Sequence, residues 1–131
     1  MTEHPNVRLV RRGFESFAKG DLEALREFMS DDVVWHEPGR SPLGGDYKGP
    51  AGVLELLGKL QERSGGSFAV DVVEVFGSPE RAVVIQEETA RRGGRVLDMA
   101  SVVEFEIHRG KISEVTVYHE DTYHFDEFWS S

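Results

Sequence analysis

Cysteine is absent from the 131 residues, so disulfide staples, thiolate metal ligands and cysteine nucleophiles are all excluded. Long apolar runs are missing too. No stretch approaches the ~20 residues needed to cross a bilayer, and Met1-Thr2-Glu3-His4-Pro5 lacks the basic-then-apolar pattern of a secretory signal. A cytoplasmic protein without membrane contact is the expectation. Positive charge is scarce: 15 Lys and Arg against 24 Asp and Glu leave a net charge of −9. That balance argues against nucleic acid as a partner, because phosphate backbones need a basic face. The dense basic runs, Arg8/Arg11/Arg12 and Arg91/Arg92/Arg95, fall on a helix and in a turn and read as solvated surface.

Familiar motifs are missing as well. His119 and His124 lie five apart on a strand-like stretch, not four apart on a helix, so they make no zincin site. Gly44-Gly45-Asp46-Tyr47-Lys48-Gly49 lacks the ending of a phosphate-cradling loop, and Gly39-Arg40-Ser41-Pro42-Leu43 lacks the second glycine of a nucleophile elbow. Neither a metal nor a cofactor is expected.

What is present reads as one globular domain over residues 1–131, with 39% apolar residues and eight Phe. From Asn6 to about Lys19, Val7, Val10, Phe14 and Phe17 recur at helical spacing. Gly20 can close that helix in a left-handed conformation, and Asp21 can cap a short second one that buries Leu22, Leu25 and Phe28. Val33–Glu37 reads as a short strand stopped by Pro38-Gly39. A turn-rich loop follows to Gly49, and Pro50 opens a third helix with Val53, Leu54, Leu57 and Leu60 inward. The rest is strand signal over Phe68–Phe76, Ala82–Arg91, Arg95–His108 and Ile112–Tyr123, broken by Gly-containing turns. Helices followed by a long meander predict an α+β fold: a cone-shaped half-barrel, its N-terminal helices packed on a curved, mainly antiparallel sheet.

Period-two alternation then picks out candidate site residues. On the last strand the face that carries Val115 and Val117 also carries His119 and Asp121, so two ionisable groups point into the protein. Val33, Trp35 and Glu37 share a face of the first strand, with Val34 and His36 on the other. An Asp in an apolar pocket has its pKa raised by desolvation, which suits a general base. His119 beside it would act as proton shuttle or as a donor to a developing oxyanion. Asp121, His119 and Glu37 are thus the candidate catalytic residues. Trp35 supplies a flat wall, Phe14, Phe17 and Val117 further lining, and Tyr47 a closure for the mouth. The bland alternative is a structural His119–Asp121 pair and ordinary core filling by Trp35.

Three segments carry a family resemblance: Gly20-Asp21-Leu22-Glu23-Ala24-Leu25, Asp31-Asp32-Val33-Val34-Trp35-His36-Glu37-Pro38-Gly39, and Tyr118-His119-Glu120-Asp121-Thr122-Tyr123. With the order of elements, they resemble the nuclear transport factor 2-like superfamily, and within it the SnoaL-like, ketosteroid isomerase-related proteins. The resemblance implies a cone-like α+β barrel with an apolar pocket, and pairing through the sheet. Glu37, just before Pro38, matches the carboxylate base of the ketosteroid isomerases. Their tyrosine and second acid would fall at Gly13 or Phe14 and near Val103, which cannot donate a hydrogen bond. Asp121 matches the acid near the end of the final strand in the polyketide cyclases and limonene epoxide hydrolases. Glu87 or Glu88 would supply the second acid of the latter, with Ile85 and Gln86 in place of an arginine.

Two function classes follow. One is a cofactor-independent isomerase, cyclase or epoxide hydrolase acting on a small apolar molecule, with Asp121 as base. The other is a non-catalytic ligand-binding or dimerisation module. Val102, Glu104, Glu106 and Tyr118 would face away from the helices, and a homodimer through that face is expected.

Overall fold

The computed structural model describes residues 3–130. Its elements run α1 (Pro5–Ala18), a 3₁₀ segment (Glu23–Phe28), β1 (Met29–Glu37), β2 (Gly45–Lys48) and α2 (Gly49–Arg63). They continue with β3 (Ala69–Gly77), β4 (Arg81–Arg92), β5 (Arg95–His108), β6 (Lys111–His119) and α3 (Thr122–Trp129). The six strands form one open sheet in the order β2-β1-β6-β5-β4-β3. Every pairing is antiparallel except β1 with β6. This is the expected α+β arrangement of helices packed on a mainly antiparallel sheet.

Each helix follows from its own residues. Val7 and Val10 of α1 are buried, and Phe14 and Phe17 pack half-buried on the core from the same stripe. Gly20, at φ 75°, ends the helix, with Asp21 N–H donating back to the Ser16 carbonyl at 2.9 Å. That is the left-handed closure glycine permits at least cost. Asn6 fixes the other end, its side-chain amide donating to the carbonyls of Ser78 at 2.7 Å and Pro79 at 3.2 Å in the β3–β4 turn. In α2 the buried stripe is Val53, Leu56, Leu57 and Leu60. Leu54, expected inward, is half-buried, and Leu56 takes the core position.

Three local readings are corrected. The first strand begins at Met29, four residues before the expected start, because the preceding 3₁₀ segment is too short to carry helix through Ser30-Asp31-Asp32. The loop after Pro38 contains β2, which pairs Tyr47 with Trp35 and Asp46 with His36. The last strand stops at His119 rather than Tyr123. Beyond it the Asp121 side chain accepts a hydrogen bond from the His124 N–H at 3.0 Å and starts α3. An Asp at a helix N-cap satisfies a backbone donor that would otherwise be orphaned.

Helix α3 docks the tail firmly. Phe125, Phe128 and Trp129 are buried with relative exposures of 0%, 2% and 0%. Arg92 donates to the carbonyls of Phe128 and Ser130 at 2.8 and 2.9 Å, satisfying the end of the helix. Truncating Phe125 to Ala should cost about 3 kcal/mol or more, the usual penalty for emptying a fully packed aromatic site. Chemical denaturation of the two proteins checks this. An unchanged midpoint would mean that α3 adds nothing to the fold.

Candidate functional site

Between the helices and the concave face of the sheet lies a cavity of about 100 Å³. Phe14 and Phe17 of α1, Leu57 and Leu60 of α2, and Val103, Phe105, Val115 and Val117 of the sheet line it. The walls are almost wholly hydrocarbon. Trp35, Glu37, Gln86 and Glu88 contribute the polar atoms.

Strand parity and register bring those polar groups together. On β4 the alternate residues Ala82, Val84, Gln86, Glu88 and Ala90 are buried. Ser101 of β5 lies opposite both Gln86 of β4 and His119 of β6. The result is a polar row across neighbouring strands, with Glu37 joining it from β1. The imidazole of His119 is fully buried, its Nε2 at 3.5 Å from Glu37 Oε2 and 3.7 Å from Glu88 Oε2. Trp35 Nε1 donates to Glu37 Oε1 at 2.9 Å. The Ser101 hydroxyl donates to Glu88 Oε2 at 2.5 Å and accepts from Gln86 Nε2 at 3.0 Å. Phe125 of α3 stacks on the His119 ring at 3.9 Å and closes this floor from behind.

The expected residues separate into two groups. His119 and Glu37 meet, and Trp35, Phe14, Phe17 and Val117 line the cavity. Glu88, one of two alternatives on β4, joins them, whereas Glu87 points to the other face. Asp121 does not reach the site. The inward placement expected for it rested on a strand through Tyr123. Once β6 stops at His119 the parity no longer applies, and the exposed carboxylate caps α3 instead. Nor does Tyr47 line the cavity. Its hydroxyl donates to the Leu43 carbonyl at 2.7 Å, which pins the β1–β2 loop. The residues sequence reasoning passed over are Ser101 and, as a partner for its hydroxyl, Gln86. Among the described residues, no group of three or more His, Asp or Glu side chains is disposed to hold a metal ion.

The profile of the SnoaL-like domain matches residues 10–115. The chain belongs to the SnoaL-like family. An uncharacterized protein of Mycobacterium tuberculosis is 29% identical over 131 residues, covering 99% of this chain and 100% of its own. Among solved structures, Bal32a from a soil-derived mobile gene cassette shares 35% identity at a TM-score of 0.92, covering 95% of this chain and 96% of its own. An NTF2-like protein of Burkholderia xenovorans has the same fold, with 24% identity, a TM-score of 0.84 and 99% of both chains covered. TerC, co-crystallized with polyporic acid, shares 25% identity at a TM-score of 0.84, covering 98% of this chain and 100% of its own.

Burial at the floor of this SnoaL-like protein displaces its ionisable groups. Burial pushes the Glu37 carboxyl up to about 8, against the opposing pull of the Trp35 N–H and with a further push from Glu88. Glu88 is raised by burial too, although Ser101 and Gln86 favour its charged form. Burial lowers His119 to about 4, because an imidazolium there would be poorly solvated, with Asp126 pulling weakly the other way.

These shifts have a sign in folding stability. A carboxyl raised to about 8 keeps its proton in the native state while the unfolded chain loses it near 4.5, so stability declines as pH rises from about 4.5 to 8. His119 acts lower, where the unfolded chain gains a proton below 6.5 and the native state does not until about 4. Between pH 6.5 and 8 the Glu37 contribution is therefore separable by substitution. Glu37→Gln should raise the melting temperature increasingly across that window, by several degrees at pH 8.5, while the two proteins converge below pH 5. A constant difference at all pH values would mean that Glu37 titrates normally.

Proposed function

We propose that this SnoaL-like protein is a cofactor-independent enzyme that moves a proton within a small apolar carbonyl compound, as an isomerase or cyclase does. One observation carries the reading: two buried carboxyl groups with raised pKa values face a hydrocarbon cavity, with a buried imidazole within 4 Å of both. Such a cavity with a few convergent polar atoms is the usual form of a small-molecule site. The co-crystallization of TerC with polyporic acid supports an organic ligand in this fold. No arginine lines the cavity among the described residues, so the residue set implied for epoxide opening is incomplete.

The charge of Glu88 pushes Glu37 further toward its neutral form, so the groups divide into an acid and a base. Among the described residues Glu88 accepts from Ser101 and Gln86, whereas Glu37 accepts from Trp35 alone. The negative charge therefore settles on Glu88. The Glu88 carboxylate takes a proton from the carbon next to the ligand carbonyl, and Glu37 gives its proton to the carbonyl oxygen, leaving an enol. Returning protons in the opposite sense, with delivery to a different carbon, completes an isomerisation with no other reactant. Both acids thereby return to their starting states, and the neutral His119 packed beside them at 3.5 and 3.7 Å fixes their positions without carrying a proton.

Isomerisation of 3-cyclohexenone to its conjugated isomer, followed by ultraviolet absorbance, tests this chemistry. Glu37→Gln and Glu88→Gln should each lower kcat about 10²- to 10⁴-fold, the usual contribution of a general acid or base. Asp121→Asn should leave turnover unchanged, since Asn keeps the cap. Activity should fall above pH 8 as Glu37 loses its proton. Ligand binding without any isomerisation or solvent-deuterium exchange would favour a non-catalytic binding module.

The protein is further proposed to act as a homodimer. Val102 and Tyr118 pair across β5 and β6 and are both exposed on the outer face, at 36% and 53%. Apolar groups set side by side on a sheet suit an isologous contact. Light scattering at micromolar concentration should give twice the monomer mass of 14.7 kDa, and Tyr118→Glu should halve it. A wild-type monomer would overturn the assignment.

A further inference from the structure

Gln86 stands out among the cavity residues. Its side chain is buried at 5% exposure, and no group among the described residues donates to its Oε1. Its orientation is fixed by its neighbours. The one hydroxyl proton of Ser101 goes to Glu88 Oε2, so Ser101 Oγ must accept, and only the amide nitrogen of Gln86 can donate to it. The same nitrogen lies 3.5 Å from Glu88 Oε2. A reversed amide would set its oxygen against that carboxyl oxygen and leave Ser101 with two groups seeking one proton. The amide nitrogen is thus held by the Ser101–Glu88 chain, and Oε1 is left as a buried acceptor on a residue that lines a mostly hydrocarbon cavity. A buried acceptor without a donor is costly, and such groups in native proteins call for a partner.

We propose that Gln86 Oε1 receives a hydroxyl proton from the ligand, and that the protein selects small monocyclic molecules carrying an enol or phenol hydroxyl on an otherwise apolar ring. The size limit comes from the cavity of about 100 Å³, the scale of the engineered apolar cavities that hold benzene. The hydroxyl requirement comes from the acceptor. A ketone offers Oε1 nothing until its carbonyl oxygen has taken the Glu37 proton; the enol so formed, or a ring hydroxyl already present, satisfies it while the ring faces Phe14, Phe17 and Val117. Gln86 is a specificity-determining residue in this scheme, not an acid or base. The inference rests on the cavity being a small-molecule site, and it adds which face of the ligand is read and by which atom.

Phenol, anisole and toluene are matched probes, since they share the ring and differ in a donor, an acceptor and neither. Calorimetric titration of each into the full-length protein at pH 6.5 should show phenol binding roughly tenfold more tightly than anisole, the value of one net hydrogen bond. Gln86→Leu should bring phenol and anisole to equal affinity while toluene binding persists. Should Gln86→Leu fail to fold, the wild-type comparison decides alone. Equal affinity of wild type for phenol and anisole would overturn the hydroxyl preference and leave the apolar cavity standing. A phenol preference that survives in folded Gln86→Leu would overturn the role of Gln86. Failure of all three probes to bind would overturn both this inference and the reading of the cavity on which it rests.

Discussion

The stacking of Phe125 on His119 is the contact on which the site depends. At 3.9 Å between ring centres and 23° between planes, it closes the polar floor against solvent. Without that cover His119 would sit at an open sheet end, and the two carboxyl groups before it would be hydrated. Burial is what raises Glu37 and Glu88 and lowers His119. Helix α3 is accordingly part of the site although it lines none of the cavity. Asp121 starts it, Arg92 satisfies its end, and Asp126 uses it as a platform to hold the Arg40 and Ser41 amides at 2.9 and 3.2 Å. The close approach of Asp126 also explains Gly39, at φ 101°, where a Cβ would collide with the carboxylate.

Two histidines show how far environment governs the same side chain. His36 and His119 both sit among carboxylates, yet their shifts are opposite. On the outer face His36 lies 2.7 Å from Asp46 and 2.6 Å from Glu114, and those hydrogen bonds raise its pKa. Solvent there makes charged partners affordable, so the pair acts as a strap from β2 to β6. On the inner face the neighbours of His119 are themselves pushed toward their neutral forms, and desolvation wins. Strand parity alone put these two residues on opposite sides of the sheet.

Much of this was legible in the residues, and the losses have physical causes. Helical spacing located α1 and α2, and alternation on β1 brought Trp35 and Glu37 to one face, because period and burial are linked directly through geometry. On β4 the run Val83-Val84-Ile85 is apolar on both faces, so the residues alone left Glu87 and Glu88 as alternatives until burial of Ala82, Val84, Gln86 and Glu88 separated them. The error came at the end of β6. Alternation cannot announce where a strand stops, and extending it two residues carried Asp121 into the protein. A helix signal was present in Phe125, Phe128 and Trp129 at three- and four-residue spacing behind an Asp, but a tail of eight helical residues gives that period little room. Ser101 was invisible for a different reason. A small hydroxyl in a strand is unremarkable until register sets it between Gln86 and His119, and register is a property of two strands, not one.

The buried polar row is a local conflict with the rest of the fold. Elsewhere the buried positions follow the ordinary rule and are apolar, apart from Asn6 and Ser64 among the described residues. Along one line across β1, β6, β5 and β4 the inward positions instead hold Glu, His, Ser, Gln and Glu. Apolar residues of similar volume there would remove several desolvation penalties at once. A chain of 131 residues has only a modest core with which to offset them. Each member is nevertheless held by geometry, Glu37 by Trp35, Glu88 by Ser101 and Gln86, His119 by Phe125. Sites where sequence logic departs from core logic, while the supporting contacts remain specific, are where function is expected to reside. That departure marks the floor of the cavity as the candidate site, and it does so independently of any likeness between this chain and its relatives.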